Sequence, residues 1–252
     1  MSFLEHVDEL RERLMRCLVV FSGGFVVCYF AADRILEILR RPLFNAMPPD
    51  QRKLYFTHLF ENFFTHLKIA GYASLFFFSP YYFHQLWLFI SPGLYAKEKK
   101  LVLPFVIAAT AFFLGGACFA YFVLFPVGFY YFIHYGAATD VPMLTISSYY
   151  GTCLKLLLLF GLAFELPVLI CLLGFLGLVD ADMLRKQRRT AILLISVAAA
   201  MFAPPDAVSM LILGGPLVLL YEASIWVVQW IGARRAAEPA PETPNPLEGR
   251  SR

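Results

Sequence analysis

Charge is scarce in this chain. Of its 252 residues only 15% are Asp, Glu, Lys or Arg, against 60% hydrophobic and 17% aromatic. A soluble domain of this length could not hide that much apolar surface, so the shortage excludes one and points to a bilayer as solvent. Cysteine pairing is missing too. Cys17, Cys28, Cys118, Cys153 and Cys171 lie in apolar runs without CxxC or metal-ligand spacing. They read as small buried hydrophobes, and no metal or cofactor is expected. The sequence has no GxSxG, HExxH, Walker A or GxGxxG stretch, and His6, His58, His66, His84 and His134 are scattered. No enzyme is expected, and no nucleic-acid partner. No internal repeat is visible, which removes support for an inverted-repeat transporter. The segment before the first apolar run is charged and amphipathic, unlike a secretory signal peptide.

What is present is a series of apolar runs. A spanning helix needs about 20 apolar residues. Six candidate spans are read, at about 15–32, 66–88, 101–133, 149–175, 190–203 and 208–231. The fifth, TAILLISVAAAMFA, rises only about 21 Å, less than a hydrocarbon core of about 30 Å. A re-entrant segment is the alternative there, and charge placement decides between the two. With six spans, one side holds Arg11, Arg13 and Arg16; Lys97, Lys99 and Lys100; Arg185, Lys186, Arg188 and Arg189; and Arg234, Arg235, Arg250 and Arg252. The opposite loops near 134–148 and 204–207 have no Lys or Arg. That is the positive-inside pattern with both termini cytoplasmic, and a short fifth helix would thin the bilayer locally. The expected organisation is a single all-α membrane domain, 1–232, followed by a disordered cytoplasmic tail, 233–252, rich in proline.

One loop breaks the charge rule. Residues 33–65 should lie outside yet carry Arg34, Arg40, Arg41, Arg52 and Lys53. Pro42 and the Met47-to-Asp50 stretch MPPD punctuate the loop, which reads as a structured cap on the outer face.

Four stretches could carry function. Residues 2–14 read as an amphipathic cytoplasmic helix, opened by a Ser2–Glu5 capping box. Phe3, Val7, Leu10 and Leu14 form one face, and Glu5, Glu9 and Glu12 another. The acids either pair with their own arginines, as Glu9 with Arg13, or offer a landing surface for a cationic ligand. QLWLFISPGLYAKEKK leaves the membrane through Trp87, read as an interface anchor, and turns at Ser91-Pro92-Gly93. It then sets Glu98 among lysines. GLAFELP puts Glu165 inside an apolar run at a cost of about 3 kcal/mol, so it needs a partner, a wet cavity or a proton. Lys155 is about 15 Å away along the same helix and does not pair with it directly. In APPDAVS, two prolines end one helix and Asp206 can cap the next.

HVDELRERL, RRPL, FISPGLYAKEKK, FAYFVLFP, FELP and APPD, in this order, resemble the TatC family, the polytopic subunit of the twin-arginine protein translocase. The resemblance implies a six-helix, cup-shaped bundle with short fifth and sixth helices in the bacterial cytoplasmic (inner) membrane. It implies a receptor for paired-arginine signal peptides on folded cargo, driven by the proton-motive force. The implied partners are small single-span TatA/TatB-type subunits, further copies of the chain, and lipid. It assigns signal-peptide binding to Glu9, with Leu10 and Arg11, and to Glu98, in a loop with Phe89, Pro92, Leu94 and Tyr95. It marks Pro42 in the first outer loop, Tyr121 with Phe125 and Pro126 after it, the intramembrane acid Glu165, and Asp206 with Pro205. The family often has threonine where Ala203 stands and Ser-Gln where Ser209-Met210 stands.

A guanidinium makes two parallel bonds to a carboxylate, whereas lysine offers a point charge. Two arginines need two acceptors, and Glu9 and Glu98 are the candidates. Neighbouring lysines would repel nonspecific basic segments. Glu165 would meet a polar group of a partner helix, at about 1 kcal/mol. Lys155 joins it and Tyr121 as candidate intramembrane polar positions. The competing reading is a proton-coupled small-solute transporter built on Glu165 and Lys155.

Overall fold

The computed structural model describes residues 3–90, 102–134, 143–175, 177–202 and 207–237. Among them the chain is helical, without a β-sheet. Helix α1 runs from Phe3 to Phe30, so the amphipathic segment and the first apolar run are one continuous rod. Its 28 residues rise about 42 Å. After Ala31 the chain re-enters helix as α2, Ala32–Ala46. Leu36, Leu39 and Leu43 fall on its buried face, while Asp33, Arg34, Glu37 and Arg40 face out. Pro42 does not punctuate here, because it sits inside α2.

The second apolar run is broken into α3, Glu61–Phe77, and α4, Ser79–Ile90. Pro80 explains the break. It has no N–H for the carbonyl of Phe76, four residues back, and that carbonyl takes the Ser79 hydroxyl instead, at 2.8 Å. Trp87 is not an exposed interface anchor. It is buried and stacks on Phe105 with ring centroids 5.0 Å apart.

The third run is α5, Val102–Phe119, a π-helical turn at Ala120–Leu124, and α6, Phe125–His134. Helix α7, Ile146–Phe175, is the central post against which α3, α5 and α10 pack. Its crossing with α5 is close enough to require glycine on both sides. A Cβ on Gly116 would come within 2.4 Å of the Phe160 carbonyl oxygen, and one on Gly161 within 2.9 Å of the Phe113 ring.

The C-terminal part is α8, Ala181–Lys186, α9, Arg188–Phe202, and α10, Ala207–Ala237. Helix α9 has 15 residues and rises about 22 Å. Polar bonds fasten this group: Tyr221 Oη donates to Leu184 O at 2.9 Å, and Arg185 donates to Gln229 Oε1 at 2.7 Å.

Among the described residues, four helical stretches are long and apolar enough to cross a membrane: Glu5–Phe30, Leu103–His134, Ile146–Phe175 and Met210–Ala233. Val19, Val27, Ile107, Leu194, Leu219 and Trp226 point outward from the bundle. That surface suits lipid, where helices gain little by hiding apolar side chains from their surroundings. The chain is a multi-pass membrane protein.

Candidate functional site

At one end of the bundle the first turns of α1 lie against the last turns of α4. His6 stacks on Phe89 at 4.4 Å between centroids. Glu9 and Arg13 are one helical turn apart, and Arg13 Nε donates to Glu9 Oε1 at 3.0 Å. The same guanidinium reaches the buried Gln85 of α4 at 3.4 Å, tying the two helices. Self-pairing is thus real, but it fills only one oxygen. Glu9 Oε2 is buried and has no hydrogen-bond partner among the described residues. Leu10 and Arg11 are exposed beside it. Pro92, Leu94, Tyr95 and Glu98 lie outside the described residues. Phe89, stacked on His6, stands one residue before the end of α4.

Glu165 lies deep in α7 with 8% of its surface exposed. Its Oε1 has no partner among the described residues. Lys155 is exposed on α7 and lines a separate cavity of about 400 Å³ with Tyr72, Met201 and Phe202. No Glu165–Lys155 ion pair occurs among the described residues.

Pro42 and Tyr121 are brought together. The proline removes the N–H that would bond the Ile38 carbonyl, and Tyr121 Oη donates to that carbonyl at 2.8 Å. Tyr121 sits in the π turn, in which Phe125 N–H bonds Ala120 O five residues back. Pro126 follows at once, exposed near the start of α6. Two tyrosines of α7 extend the set, with Tyr149 Oη donating to Leu39 O at 2.6 Å and Tyr150 Oη to Leu36 O at 3.2 Å. Three hydroxyls from two elements thus hold one face of α2. Pro205 and Asp206 lie outside the described residues.

Two acids escaped the sequence reading. Glu61, at the start of α3, is only 6% exposed and uses both oxygens. Oε2 accepts Thr57 N–H at 2.7 Å, Thr57 Oγ1 at 3.1 Å and His58 N–H at 3.3 Å. Oε1 accepts Ser147 N–H at 2.6 Å, filling a donor that the first turn of α7 leaves open. The Ser147 bond, then the Thr57 bond, hold its pKa down to about 2. Beside it Tyr55 and Thr145 form a parallel bridge, with Tyr55 N–H to Leu144 O at 2.9 Å and Ile146 N–H to Tyr55 O at 2.8 Å. A capping-box scan passes over Glu61 because the threonine is four residues back, not three. The other is Glu222, inside the last apolar run, which accepts from Arg188 at 2.6 Å. Its position in that run was the available signal.

Residues 5–216 match the family model described as "TatC: Sec-independent protein translocase protein (TatC)". The chain is 42% identical to the Sec-independent protein translocase protein TatC of Desulforapulum autotrophicum, over 92% of this chain and 84% of that protein. It is 40% identical to the Campylobacter jejuni TatC over 89% of this chain and 92% of that one. A crystal structure described as the twin-arginine translocase receptor TatC superposes with a TM-score of 0.79 at 30% identity, covering 90% of this chain and 99% of that chain. A second, of the same receptor in the detergent DDM, gives 0.81 at 31% identity over 88% and 98%. With a family model spanning most of its length and relatives matched nearly end to end, the chain belongs to the TatC family, a component of the Sec-independent protein translocase and not an enzyme.

Proposed function

We propose that this chain is the receptor subunit of a twin-arginine translocase in the bacterial cytoplasmic membrane. It crosses the membrane six times with both termini cytoplasmic, and captures paired-arginine signal peptides of folded cargo at the cytoplasmic edge. The observation that carries this reading is the half-occupied carboxylate of Glu9. One oxygen holds Arg13, and the other is an acceptor of the kind a second guanidinium completes. Glu98, in the segment that follows α4, supplies the acceptor for the other arginine. Leu10, Arg11, Phe89, Pro92, Leu94 and Tyr95 border the pair. The apolar part of the signal peptide lies along the lipid-facing groove of the bundle.

The unfilled Oε1 of Glu165 supports assembly with small single-span TatA/TatB-type subunits and with further copies of the chain. A polar group on a partner helix completes it at about 1 kcal/mol, which suits reversible docking. Pro42, Tyr121 and Pro126 keep the outer cap in register. The transporter alternative lacks support, since Glu165 and Lys155 make no ion pair among the described residues. Solute uptake by liposomes holding this protein alone would restore it.

The test is binding of a labelled signal peptide to the purified protein, with Arg-Arg and Lys-Lys versions. Wild type prefers Arg-Arg, and Glu9→Gln and Glu98→Gln each weaken it about tenfold, or about 1.4 kcal/mol. Absence of an Arg-Arg preference in wild type sinks the receptor reading. A preference that survives both substitutions sinks the site alone.

A further inference from the structure

The outer loop that breaks the positive-inside pattern contains a cavity of about 530 Å³, at the end of α1 away from Glu9. Arg40, Arg52 and Lys53 line it. None of the three has a carboxylate within 4.0 Å among the described residues. Asp33 is the acid in the lining, and His66 already holds it at 2.9 Å. The arginines hydrogen-bond through Nε: Arg40 donates from it to Tyr150 Oη at 3.3 Å and lies over the Phe44 ring, 5.6 Å from its centroid, and Arg52 donates to Met47 O at 3.2 Å. The outer edges of both guanidinium groups remain available. Lys53 is held through its backbone N–H, which donates to Gln51 O at 2.7 Å, and its ammonium has no acceptor among the described residues.

Basic residues on a translocated loop act against its export. Keeping several of them in one concavity calls for a ligand that uses them. The same stretch exposes Phe56, Leu59, Phe60, Phe63 and Phe64, and none of these could stay in open water at little cost. Bare aromatic side chains a few residues along the chain from cations that lack a carboxylate partner among the described residues match a molecule that is anionic at one end and apolar at the other.

We infer that this cavity binds the phosphate headgroup of an anionic phospholipid from the outer leaflet, with its acyl chains against the phenylalanines. Phosphate takes parallel N–H bonds from an arginine fork and a point charge from lysine, and the lining provides both. The bound lipid neutralises the excess charge of the loop and fixes the depth of the outer cap relative to the headgroups. This goes beyond signal-peptide binding and does not depend on it.

The experiment measures binding of fluorescent phosphatidylglycerol to the full chain in detergent, against phosphatidylcholine of the same chain length and inorganic phosphate. Phosphatidylglycerol should bind in preference to phosphatidylcholine, with inorganic phosphate a poor competitor. Lys53→Gln and Arg52→Gln should each weaken it about fivefold. Lys53→Arg should retain it, and Arg34→Gln, on α2 but outside the cavity, should leave it unchanged. Both Lys53 and Arg52 are exposed, so an unaltered melting temperature separates lost binding from lost folding. Equal affinity for phosphatidylcholine reduces the site to its aromatic rim. Equal weakening by Arg34→Gln makes it diffuse charge. Displacement by inorganic phosphate at matched concentration makes it a free-anion site. Preference for an acidic peptide over either lipid gives it to a protein partner. Each of these overturns the inference.

Discussion

Glu61 and Glu9 are shielded carboxylates at opposite ends of the bundle, and their surroundings differ in one respect. Glu61 accepts four hydrogen bonds, three from Thr57 and His58 of its own loop and one from Ser147 of α7. Glu9 accepts from Arg13 through one oxygen while the other is left bare among the described residues. The first arrangement fixes the protein to itself, because every lone pair facing inward has a donor. The second leaves an acceptor shielded from water and uncompensated, which costs free energy until a donor arrives. A carboxylate whose oxygens are all bonded within the chain serves architecture, whereas one with a bare oxygen is an acceptor open to something else. Glu165, with a bare Oε1, resembles Glu9 in that one respect, and Glu222, held by Arg188, is closer to Glu61.

Substitutions separate the two classes. The largest effect is expected from Glu61→Ala, which strips the acceptor from three backbone N–H groups and a hydroxyl at once. Its melting temperature should fall further than that of Glu9→Gln or Tyr121→Phe, while signal-peptide affinity, measured well below the transition, stays at the wild-type value. Equal melting temperatures would break the distinction. Glu9→Gln should do the reverse, with about tenfold weaker Arg-Arg peptide binding and little change in melting. A comparable loss of stability in Glu9→Gln would make that acid a staple as well.

Tyr121→Phe comes next, at about 1 kcal/mol from the orphaned Ile38 carbonyl. In a Pro42→Ala background the helix supplies its own N–H to that carbonyl, so the same change should cost measurably less. A double-mutant cycle with no coupling would refute the pairing.

The smallest effect near neutrality is the pH dependence of the outer clasp. The pKa of Glu61 is depressed from its ordinary 4.5 to about 2. Its contribution is therefore complete above about pH 4.5 and is lost as pH falls through about 2. Acid unfolding of the wild type should show this component, and Glu61→Gln should lack it. If both profiles coincide, Glu61 is not the acid-sensitive staple.

Much of the bundle could be read from apolar runs, because hydrocarbon demands long uninterrupted helices and leaves few other solutions. What could not be read depends on partners distant in sequence. The helix at Ala32–Ala46 was hidden because Pro42 reads locally as a breaker, while Tyr121, 83 residues after Ile38, bonds the carbonyl it orphans. Trp87 looked like an interface anchor because its partner Phe105 lies beyond the following loop. At the inner edge, helical spacing gave both the acidic face and the Glu9–Arg13 pair. The link to Gln85 and the bare oxygen needed the packing of α4. Glu61 was invisible for the same reason, since Ser147 is 86 residues away.

The unbroken course of α1 has a mechanical meaning. A helix of 28 residues is a strut, stiff along its axis. Glu9 stands near one end of it, and at the other a single residue, Ala31, separates it from α2. Along the way the strut is braced by α4, through Arg13 and Gln85, and by α3, whose Ser74 hydroxyl donates to Phe21 O at 3.1 Å. Beyond its far end stands α2, which three tyrosine hydroxyls grip by its carbonyls. Under the proposed function, a pull at Glu9 is shared between these braces and the tyrosine-held α2.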